Sequence, residues 1–268
     1  MKISYFKVNP TGNITLLVDT PVSRECQSAV AAKLMAAVSD AEQVGFFEPA
    51  AAPCTPLRLQ MMGGEFCGNA SISTAAVLLN GTGEEAFTTP LEVSGMAEDI
   101  AVSVKRNADG SFTGTVDMPI PEAIYDYTFI NGFDTYTLPL VRFPGICHVI
   151  ADKRLSPVIA EKYVADWCRQ LKSEALGIMF FDKAKNTLEP FVYVASTDTA
   201  VWETSCASGT SAVAAYVAKL KRHSVSLSLR QAGGVLTAQA EYSANDVRRI
   251  RLTGSAVIEG KFEIELGT

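Results

Sequence analysis

The sequence predicts a mixed α/β (α+β) protein made of two similar halves, 1–122 and 123–268. Three observations support this prediction. Short β-type runs separated by turn residues alternate with only a few helical segments. Landmarks of the first half return in the same order in the second half. Two cysteines, Cys67 and Cys206, each lie in a turn of small residues directly before an Ala- and Ser-rich segment.

The first half begins with a hairpin signal. Residues 3–8 alternate as a strand, turn residues follow at 10–13, and residues 14–18 resume the strand. A helix is expected over 23–38, with Ser23 as its cap, because apolar residues recur there at helical spacing. The remaining expected elements, in order, are strands at 43–48 and 57–61, a helix at 72–79 after the first cysteine turn, and β-type runs over 91–118.

The second half repeats this order, with strand material at 129–141, a helix at about 156–171, a helix at 212–220 and a β-rich stretch over 225–266. Three landmarks return after nearly constant offsets of 133, 134 and 139 positions: Gly12 as Gly145, Phe46 as Phe180, and Cys67 as Cys206. We therefore infer an internal duplication whose two copies join near 119–129.

Composition narrows the class of protein. Hydrophobic residues make up 48% of the chain and charged residues 19%, which is typical of a globular protein. A formal charge of -6 without a basic block argues against nucleic acid and anionic membranes as partners, favours a small-molecule substrate and leaves a homodimer open. Without a leader-like or membrane-spanning run, a cytoplasmic protein is expected. The six cysteines lack metal-ligand spacing and are interpreted as reduced thiols, with no metal.

The two cysteine turns suggest acid/base chemistry. At a helix start, unpaired backbone N–H groups and the helix dipole stabilise a thiolate, move its pKa toward the working pH, and can also hold a carboxylate. If Cys67 and Cys206 approach one carbon from opposite faces, one thiolate removes a proton and the other thiol returns one, so a stereocentre is inverted without a cofactor. A single cysteine among small residues is more often a packing residue, so the hypothesis depends on the pair.

The residues that surround these turns resemble the diaminopimelate epimerase and proline racemase superfamily, whose members are cofactor-independent racemases and epimerases with two cysteines. The resemblance covers nearly the whole chain and is carried by residues 11–13, 42–45, 67–69, His148, Glu203 and 206–210. It implies a diaminopimelate epimerase-like fold, in which each half is a curved, mostly antiparallel sheet or barrel around a central helix, with the site between the halves.

Departures from the epimerase pattern concern the substrate. Diaminopimelate epimerases usually carry an Arg directly after the Glu that is Glu203 here, and that Arg receives the distal carboxylate; this chain has Thr204. An unpaired carboxylate in a closed cleft would be costly, which argues against diaminopimelate. The sequence is more similar to the histidine racemases of bacterial metallophore pathways, in the Asn-Pro-Thr-Gly-Asn start and the Trp-Glu-Thr-Ser-Cys turn. The resemblance therefore implies histidine as the substrate.

The resemblance also implies a set of site residues. Cys67 and Cys206 would be catalytic. The substrate would be bound by Asn13, Gln43, Gly68, Asn69, His148, Glu203, Ala207, Ser208, Gly209 and Thr210, several of them through backbone N–H groups. Other interpretations remain open: Asn is common in turns, His148 could be a core histidine, Glu203 could complement a helix N-terminus, and Gln43 could be an ordinary turn residue.

Three further functions remain as alternatives. One is diaminopimelate epimerase, and another is an isomerase of the phenazine-biosynthesis type, which shares the fold but usually lacks the paired thiols. The non-enzymatic alternative is a small-molecule binding protein in which Cys67 and Cys206 are incidental.

Overall fold

The computed structural model describes residues 1–152 and 155–267, and the chain divides into two compact units. Unit 1 comprises Met1–Asp117 together with the residues from Thr253 onward, and unit 2 comprises Met118–Leu252. The linear division expected from the sequence, 1–122 and 123–268, therefore needs one correction. The last strand begins in unit 2 and ends in unit 1, because its second part pairs with the first strand of the chain.

Unit 1 contains a ring of strands. Its elements are β1 (Lys2–Asn9), β2 (Thr15–Val18), α1 (Arg24–Ala37), β3 (Gln43–Glu48), β4 (Arg58–Met61), α2 (Gly68–Asn80), β5 (Ala86–Val93), β6 (Ile100–Arg106) and β7 (Phe112–Met118). Neighbouring strands pair in chain order from β1 to β7. The last strand pairs with β7, and its C-terminal part pairs with β1. The sheet is thereby closed, which leaves it without a free edge.

Helix α2 forms the centre of unit 1. All of its residues except Leu78 and Asn80 are buried, because small Ala, Ser and Thr side chains allow strands to approach it closely. Helix α1 buries only one face, including Val30 and Leu34, against β1, β2 and β3. Ser23 is its N-cap by position, as expected, but its hydroxyl makes no capping hydrogen bond.

Unit 2 repeats this arrangement of elements. They are β8 (Ala123–Asn131), β9 (Asp134–Phe143), β10 (Ile146–Ala151), α3 (Pro157–Leu171), β11 (Ala175–Asp182), β12 (Thr187–Val194), β13 (Thr199–Trp202), α4 (Ala207–Lys221), β14 (Val225–Gln231), β15 (Gly234–Ser243) and β16 (Asp246–Glu265). The strand order is β8-β9-β10-β11-β12-β14-β15-β16, with β13 on β12. Helix α4 is buried along most of its length, as α2 is in unit 1.

Most strand pairs are antiparallel, and the parallel pairs fall at equivalent places in the two units. Strands β2 and β3 are parallel and connected by α1, and β10 and β11 are parallel and connected by α3. The pairs β4–β5 and β12–β14 are also parallel, and the connection between the two strands of each pair contains the central helix of that unit. The predicted α/β (α+β) class is confirmed. No helix in the described part of the chain is long and apolar enough to cross a membrane.

Candidate active site

In unit 1, Cys67 is the N-cap of the central helix α2. Its backbone is extended, with φ -130° and ψ 112°, and its sulfur accepts the backbone N–H of Ala70 at 3.4 Å. Ser71 donates its hydroxyl to the carbonyl oxygen of Cys67 at 2.8 Å. Gly68 and Asn69 follow in the first helical turn, where N–H groups have no intrahelical acceptor. The turn therefore presents a thiol beside N–H groups that can bind an anion.

A chain of amide side chains leads to this thiol. Cys67 donates its S–H to Oε1 of Gln43 at 3.1 Å, and Nε2 of Gln43 donates to Oδ1 of Asn13 at 2.6 Å and to Oγ1 of Thr15 at 2.7 Å. Asn13 in turn donates Nδ2 to Glu42 at 2.6 Å. Because both acceptors lie on one side of the Gln43 amide, its oxygen faces the sulfur. An amide oxygen can only accept, so Cys67 is the donor of this hydrogen bond.

In unit 2, Cys206 is the N-cap of the central helix α4. Its backbone angles, φ -128° and ψ 111°, nearly equal those of Cys67, and its sulfur accepts the N–H of Gly209 at 3.3 Å. Ala207 to Thr210 form the first helical turn, in which Thr210 donates Oγ1 to the carbonyl oxygen of Cys206 at 2.7 Å. The two cysteines of the duplicated sequence therefore have the same local geometry, each within its own unit.

The pKa of Cys206 differs from the sequence-based expectation. A helix start was expected to move it toward the working pH, and the N–H of Gly209 does act in that direction. Burial outweighs this effect and, with the nearby carboxylate of Glu203, raises the pKa of the Cys206 thiol well above its ordinary value. Without a ligand, Cys206 is therefore a thiol at neutral pH.

His148 lies on β10, close to the Cys206 turn. Its Nε2 is 3.0 Å from Oγ of Ser208, and that hydroxyl is 3.5 Å from the sulfur of Cys206. The ring is fully buried, and burial lowers the pKa of His148 to about 3, so the imidazole is neutral near pH 7. Its Nδ1 has no hydrogen-bond partner among the described residues. A buried N–H without an acceptor is costly, which favours the tautomer with the proton on Nε2.

The two units differ in which strand of the parallel pair carries the polar side chain near the cysteine. In the parallel pair β2–β3, Thr15 lies opposite Gln43; at the same place in β10–β11, His148 lies opposite Gly177. Gly177 leaves room for the imidazole, because a Cβ there would be 2.4 Å from Nδ1 of His148. The polar side chain near the cysteine thus comes from β3 in unit 1 and from β10 in unit 2.

All of the residues predicted for the site fall into two clusters, one in each unit. Asn13, Gln43 and Cys67 are joined by hydrogen bonds in unit 1, where Gly68 and Asn69 begin α2. In unit 2, His148, Ser208, Cys206 and Gly209 are in contact, Glu203 acts on the Cys206 thiol, and Ala207 and Thr210 complete the turn. Their roles in binding and catalysis remain predictions.

Sequence reasoning missed several residues that support the two turns. Thr15 and Glu42 hold the Gln43 and Asn13 amides, and Gln231 holds the Cys206 turn from the end of β14. Met179 packs on the same turn, since a Cβ on Gly209 would lie 2.1 Å from its sulfur. Glu42 lies within the segment 42–45 that carries the resemblance, although it was not predicted as a site residue. Gln231 and Met179 carry no comparable local signal, because they reach the turn only through the tertiary fold.

Solved structures with the same fold define the structural class. A hydroxyproline epimerase from Agrobacterium vitis is 13% identical, with 98% of this chain and 92% of that one covered, at a TM-score of 0.72. A probable proline racemase from Agrobacterium radiobacter is 14% identical, with 99% of this chain and 93% of that one covered, at a TM-score of 0.73. A phenazine biosynthesis protein of the PhzF family from Bacillus anthracis is 14% identical, with 99% of this chain and 100% of that one covered, at a TM-score of 0.72. The fold is therefore that of the racemases, epimerases and PhzF proteins.

Sequence comparison then identifies the family. The profile described as the histidine racemase CntK N-terminal domain matches residues 2–262. A histidine racemase from Fusobacterium nucleatum is 34% identical over 228 residues, 82% of each chain. One from Staphylococcus aureus is 28% identical over 220 residues, 80% of this chain and 79% of that one. The chain belongs to the histidine racemase CntK N-terminal domain family. It is an isomerase, a racemase independent of pyridoxal phosphate, and the resemblance stated from the sequence is confirmed.

Proposed function

We propose that this racemase inverts the α-carbon of histidine with Cys67 and Cys206 as its two acid/base groups. The observation that carries the proposal is the shared geometry of the two cysteines. Each is the N-cap of a buried central helix, and each sulfur accepts the N–H three residues further along. A packing role for both thiols would not require the same cap geometry in both copies of a duplicated chain.

In the proposed reaction, one cysteine reacts as a thiolate and the other as a thiol. The thiolate removes the α-proton from one face of the amino acid, and the thiol donates a proton to the other face. After turnover the two groups have exchanged roles. The negative charge that develops on the substrate carboxylate would be stabilised by N–H groups of the first turns of α2 and α4, at Gly68, Asn69 and 207–210.

The high pKa of Cys206 suggests that the substrate helps to activate it. The carboxylate of Glu203 raises this pKa and is a suitable partner for the positive α-ammonium group of an amino acid. An ammonium group bound at Glu203 would offset its negative charge and so lower the pKa of the neighbouring thiol. Substrate binding and thiolate formation would then be coupled.

The neutral amides and the imidazole would act as orienting groups. We propose that Gln43 holds the S–H of Cys67 in place and that Asn13 fixes Gln43, with substrate contacts in addition. His148 is neutral near pH 7 and its hydrogen bond goes to Ser208, so we propose that it orients Ser208 and does not itself transfer the substrate proton.

Histidine is proposed as the substrate on the strength of the family. The matched profile and the relatives from F. nucleatum and S. aureus are all described as histidine racemases. The chain also has Thr204 where diaminopimelate epimerases usually have Arg, which disfavours a substrate with a second carboxylate.

Incubation with amino acids in deuterated water tests reaction and substrate together. Purified protein is mixed with L-histidine, with meso- and LL-diaminopimelate, and with other common L-amino acids, and products are analysed by chiral chromatography and mass spectrometry. We expect D-histidine that carries one deuterium at the α-carbon. Inversion of diaminopimelate alone would overturn the substrate assignment, and the absence of α-hydrogen exchange with every amino acid would favour a binding protein or a PhzF-type isomerase.

A cytoplasmic location is part of the proposal. The mechanism needs two free thiols, and reducing compartments preserve them. We expect racemase activity in the cytoplasmic fraction of cells that express the protein, with Cys67 and Cys206 both reduced. Activity confined to an oxidising compartment would contradict this.

A further inference from the structure

Gln231 is the last residue of β14, and its side chain is buried, with 6% of the residue exposed. A buried amide lowers stability unless its polar atoms are hydrogen-bonded. The amide of Gln231 uses both its oxygen and its nitrogen, and both partners belong to the turn that carries Cys206. Both polar atoms of the Gln231 side chain are therefore bonded to this turn, although Gln231 and Cys206 lie 25 residues apart in the sequence.

Three hydrogen bonds form a closed ring around the backbone of Cys206. Oε1 of Gln231 accepts the N–H of Cys206 at 2.8 Å, and Nε2 donates to Oγ1 of Thr210 at 2.9 Å. Oγ1 of Thr210 then donates to the carbonyl oxygen of Cys206 at 2.7 Å. A flipped Gln231 amide would place Nε2 against another donor, the N–H of Cys206. The orientation of the amide is thus fixed by its partners.

This ring holds the part of the backbone that determines where the sulfur lies. The N–H of an N-cap residue has no acceptor within its own helix, and Gln231 supplies one from a different element. The position of the Cys206 backbone determines where its side chain begins. The sulfur lies 3.3 Å from the backbone nitrogen of Gly209, whose N–H it accepts. Proton transfer is sensitive to such placement, since a shift of about 1 Å can lower a rate about 100-fold.

We infer that Gln231 is a positioning residue for Cys206, which acts on proton transfer by fixing the backbone on both sides of this cysteine. The inference rests on the proposed function of Cys206. It does not extend to Cys67: Ser71 matches Thr210 by donating to the Cys67 carbonyl oxygen, but β5, the strand equivalent to β14, ends in the apolar Val93. The two cysteines are therefore held by different means.

Gln231→Met tests the inference, because Met has a similar length and makes neither hydrogen bond. We expect kcat to fall about ten-fold or more, with a smaller change in KM, because substrate contacts remain while the sulfur loses its fixed position. Site-resolved alkylation with iodoacetamide, followed by peptide mass spectrometry, should show faster modification of Cys206. Cys147 and Cys168, both buried in the core of unit 2, should remain unmodified.

Gln170→Met is the matched control. Gln170 also makes two amide hydrogen bonds in unit 2, to the N–H and the carbonyl oxygen of Ile130 at 3.1 and 3.0 Å, and neither bond involves α4. We expect this variant to keep the wild-type kcat. Thr210→Val opens the same ring from its other side with little change in volume, and the double variant with Gln231→Met should be no slower than the slower single variant.

A wild-type kcat and unchanged Cys206 alkylation in both ring variants would overturn the inference. So would a fall in kcat that is accompanied by alkylation of Cys147 and Cys168, because it would show general loosening of unit 2. If Gln231→Met does not fold, Thr210→Val alone decides. Failure of the proposed function is a separate result: racemisation by Cys206→Ser would remove the catalytic role of Cys206, whereas alkylation would still report on its positioning.

Discussion

Burial and the helix N-terminus have opposite effects on the pKa of a single thiol, that of Cys206. The hydrogen bond from Gly209 stabilises the thiolate, but removal from water disfavours it more strongly, and the carboxylate of Glu203 adds to this effect. In the proposed mechanism the thiol stays protonated until the α-ammonium group of a substrate binds at Glu203, which protects it from oxidation and alkylation in the free enzyme. This suggests that the free enzyme is the less reactive form.

Glu203→Gln should lower the pKa of Cys206, because it removes the negative charge that contributes to the raised value. The pKa should still exceed that of an ordinary thiol, since burial remains the larger cause. The measurement is the pH dependence of Cys206 alkylation without substrate. Glu189→Gln, which removes an exposed carboxylate from β12, should leave the curve unchanged. An equal or higher pKa in Glu203→Gln would contradict this electrostatic account.

Because folding lowers the pKa of His148, we predict that the stability of the protein depends on pH. Its pKa is lowered from 6.5 to about 3 in the folded chain, so below pH 6.5 the unfolded chain binds a proton that the folded chain does not. The stability that this site contributes is present above pH 6.5 and is lost as the pH falls toward 3. Between pH 7 and pH 5 the loss should be about 2 kcal/mol.

Urea unfolding at pH 7 and pH 5 measures this loss. His148→Gln should reduce the difference between the two free energies of unfolding by about 2 kcal/mol, because Gln does not titrate. An identical pH dependence in His148→Gln and the wild type would show that folding does not lower the pKa of His148.

At the scale of elements, the first turn of α4 depends on a close contact with β11. A Cβ on Gly209 would be 2.1 Å from the sulfur of Met179 and 3.2 Å from that of Cys206. Gly209→Ala should therefore destabilise the protein by about 1–3 kcal/mol through overpacking and should also lower kcat, because the displaced atoms border the thiol. Thermal unfolding and steady-state kinetics measure the two effects.

Gly114→Ala is the control for overpacking alone. A Cβ there would be 2.4 Å from Cγ2 of Ile72 on α2, and the three atoms nearest to it all belong to Ile72 rather than to Cys67. We expect a comparable loss of stability with kcat near the wild-type value. Equal reductions of kcat in the two variants would mean that the rate follows stability rather than the packing of the Cys206 turn.

The helix boundaries show what periodicity could and could not predict. The central helices were expected at 72–79 and 212–220, but they begin at Gly68 and Ala207. Their first turns contain Gly, Ser, Asn and Thr, which are weak helix formers and suggested a loop. Tertiary burial overrides this weak preference, so the helices begin earlier, and each cysteine, which was expected at a helix start, is the N-cap itself.

At the scale of the whole molecule, closure of the unit 1 ring depends on the end of the chain. Residues of β1 from Lys2 to Asn9 pair with β16 between Val257 and Glu265. Truncation after residue 252 would remove this partner and expose the edge of β1. We expect the truncated protein to lose the cooperative unfolding of unit 1 and to be cleaved rapidly there in limited proteolysis.

Glu263→Gln serves as the control for the truncation. It removes an exposed ion pair with Lys2 but leaves the backbone pairing of β16 intact, and such surface pairs contribute little to stability. Its unfolding and proteolysis should match the wild type. Wild-type resistance of the truncated protein would mean that unit 1 does not need β16.

The duplication and the α/β (α+β) class could be predicted from the sequence because landmark residues and turn signals recur locally along the chain. The return of β16 to unit 1 could not, since the pairing of the first and last strands joins residues from Asn9 with Val257 to Lys2 with Glu265, at opposite ends of the chain. The exchange of Gln43 for His148 near the two thiols was missed for a related reason. It depends on the register of parallel strands, which the local pattern does not specify.

The most direct measurement follows α-hydrogen exchange in deuterated water with Cys67→Ser and Cys206→Ser, each given L- and D-histidine separately. Serine is a far weaker acid than cysteine, so each variant retains one working base. The account predicts that both variants lose racemisation, and that each exchanges the α-hydrogen of only one enantiomer, with the two variants acting on opposite enantiomers. Exchange of the same enantiomer by both variants, or racemisation near the wild-type rate by either, would contradict it.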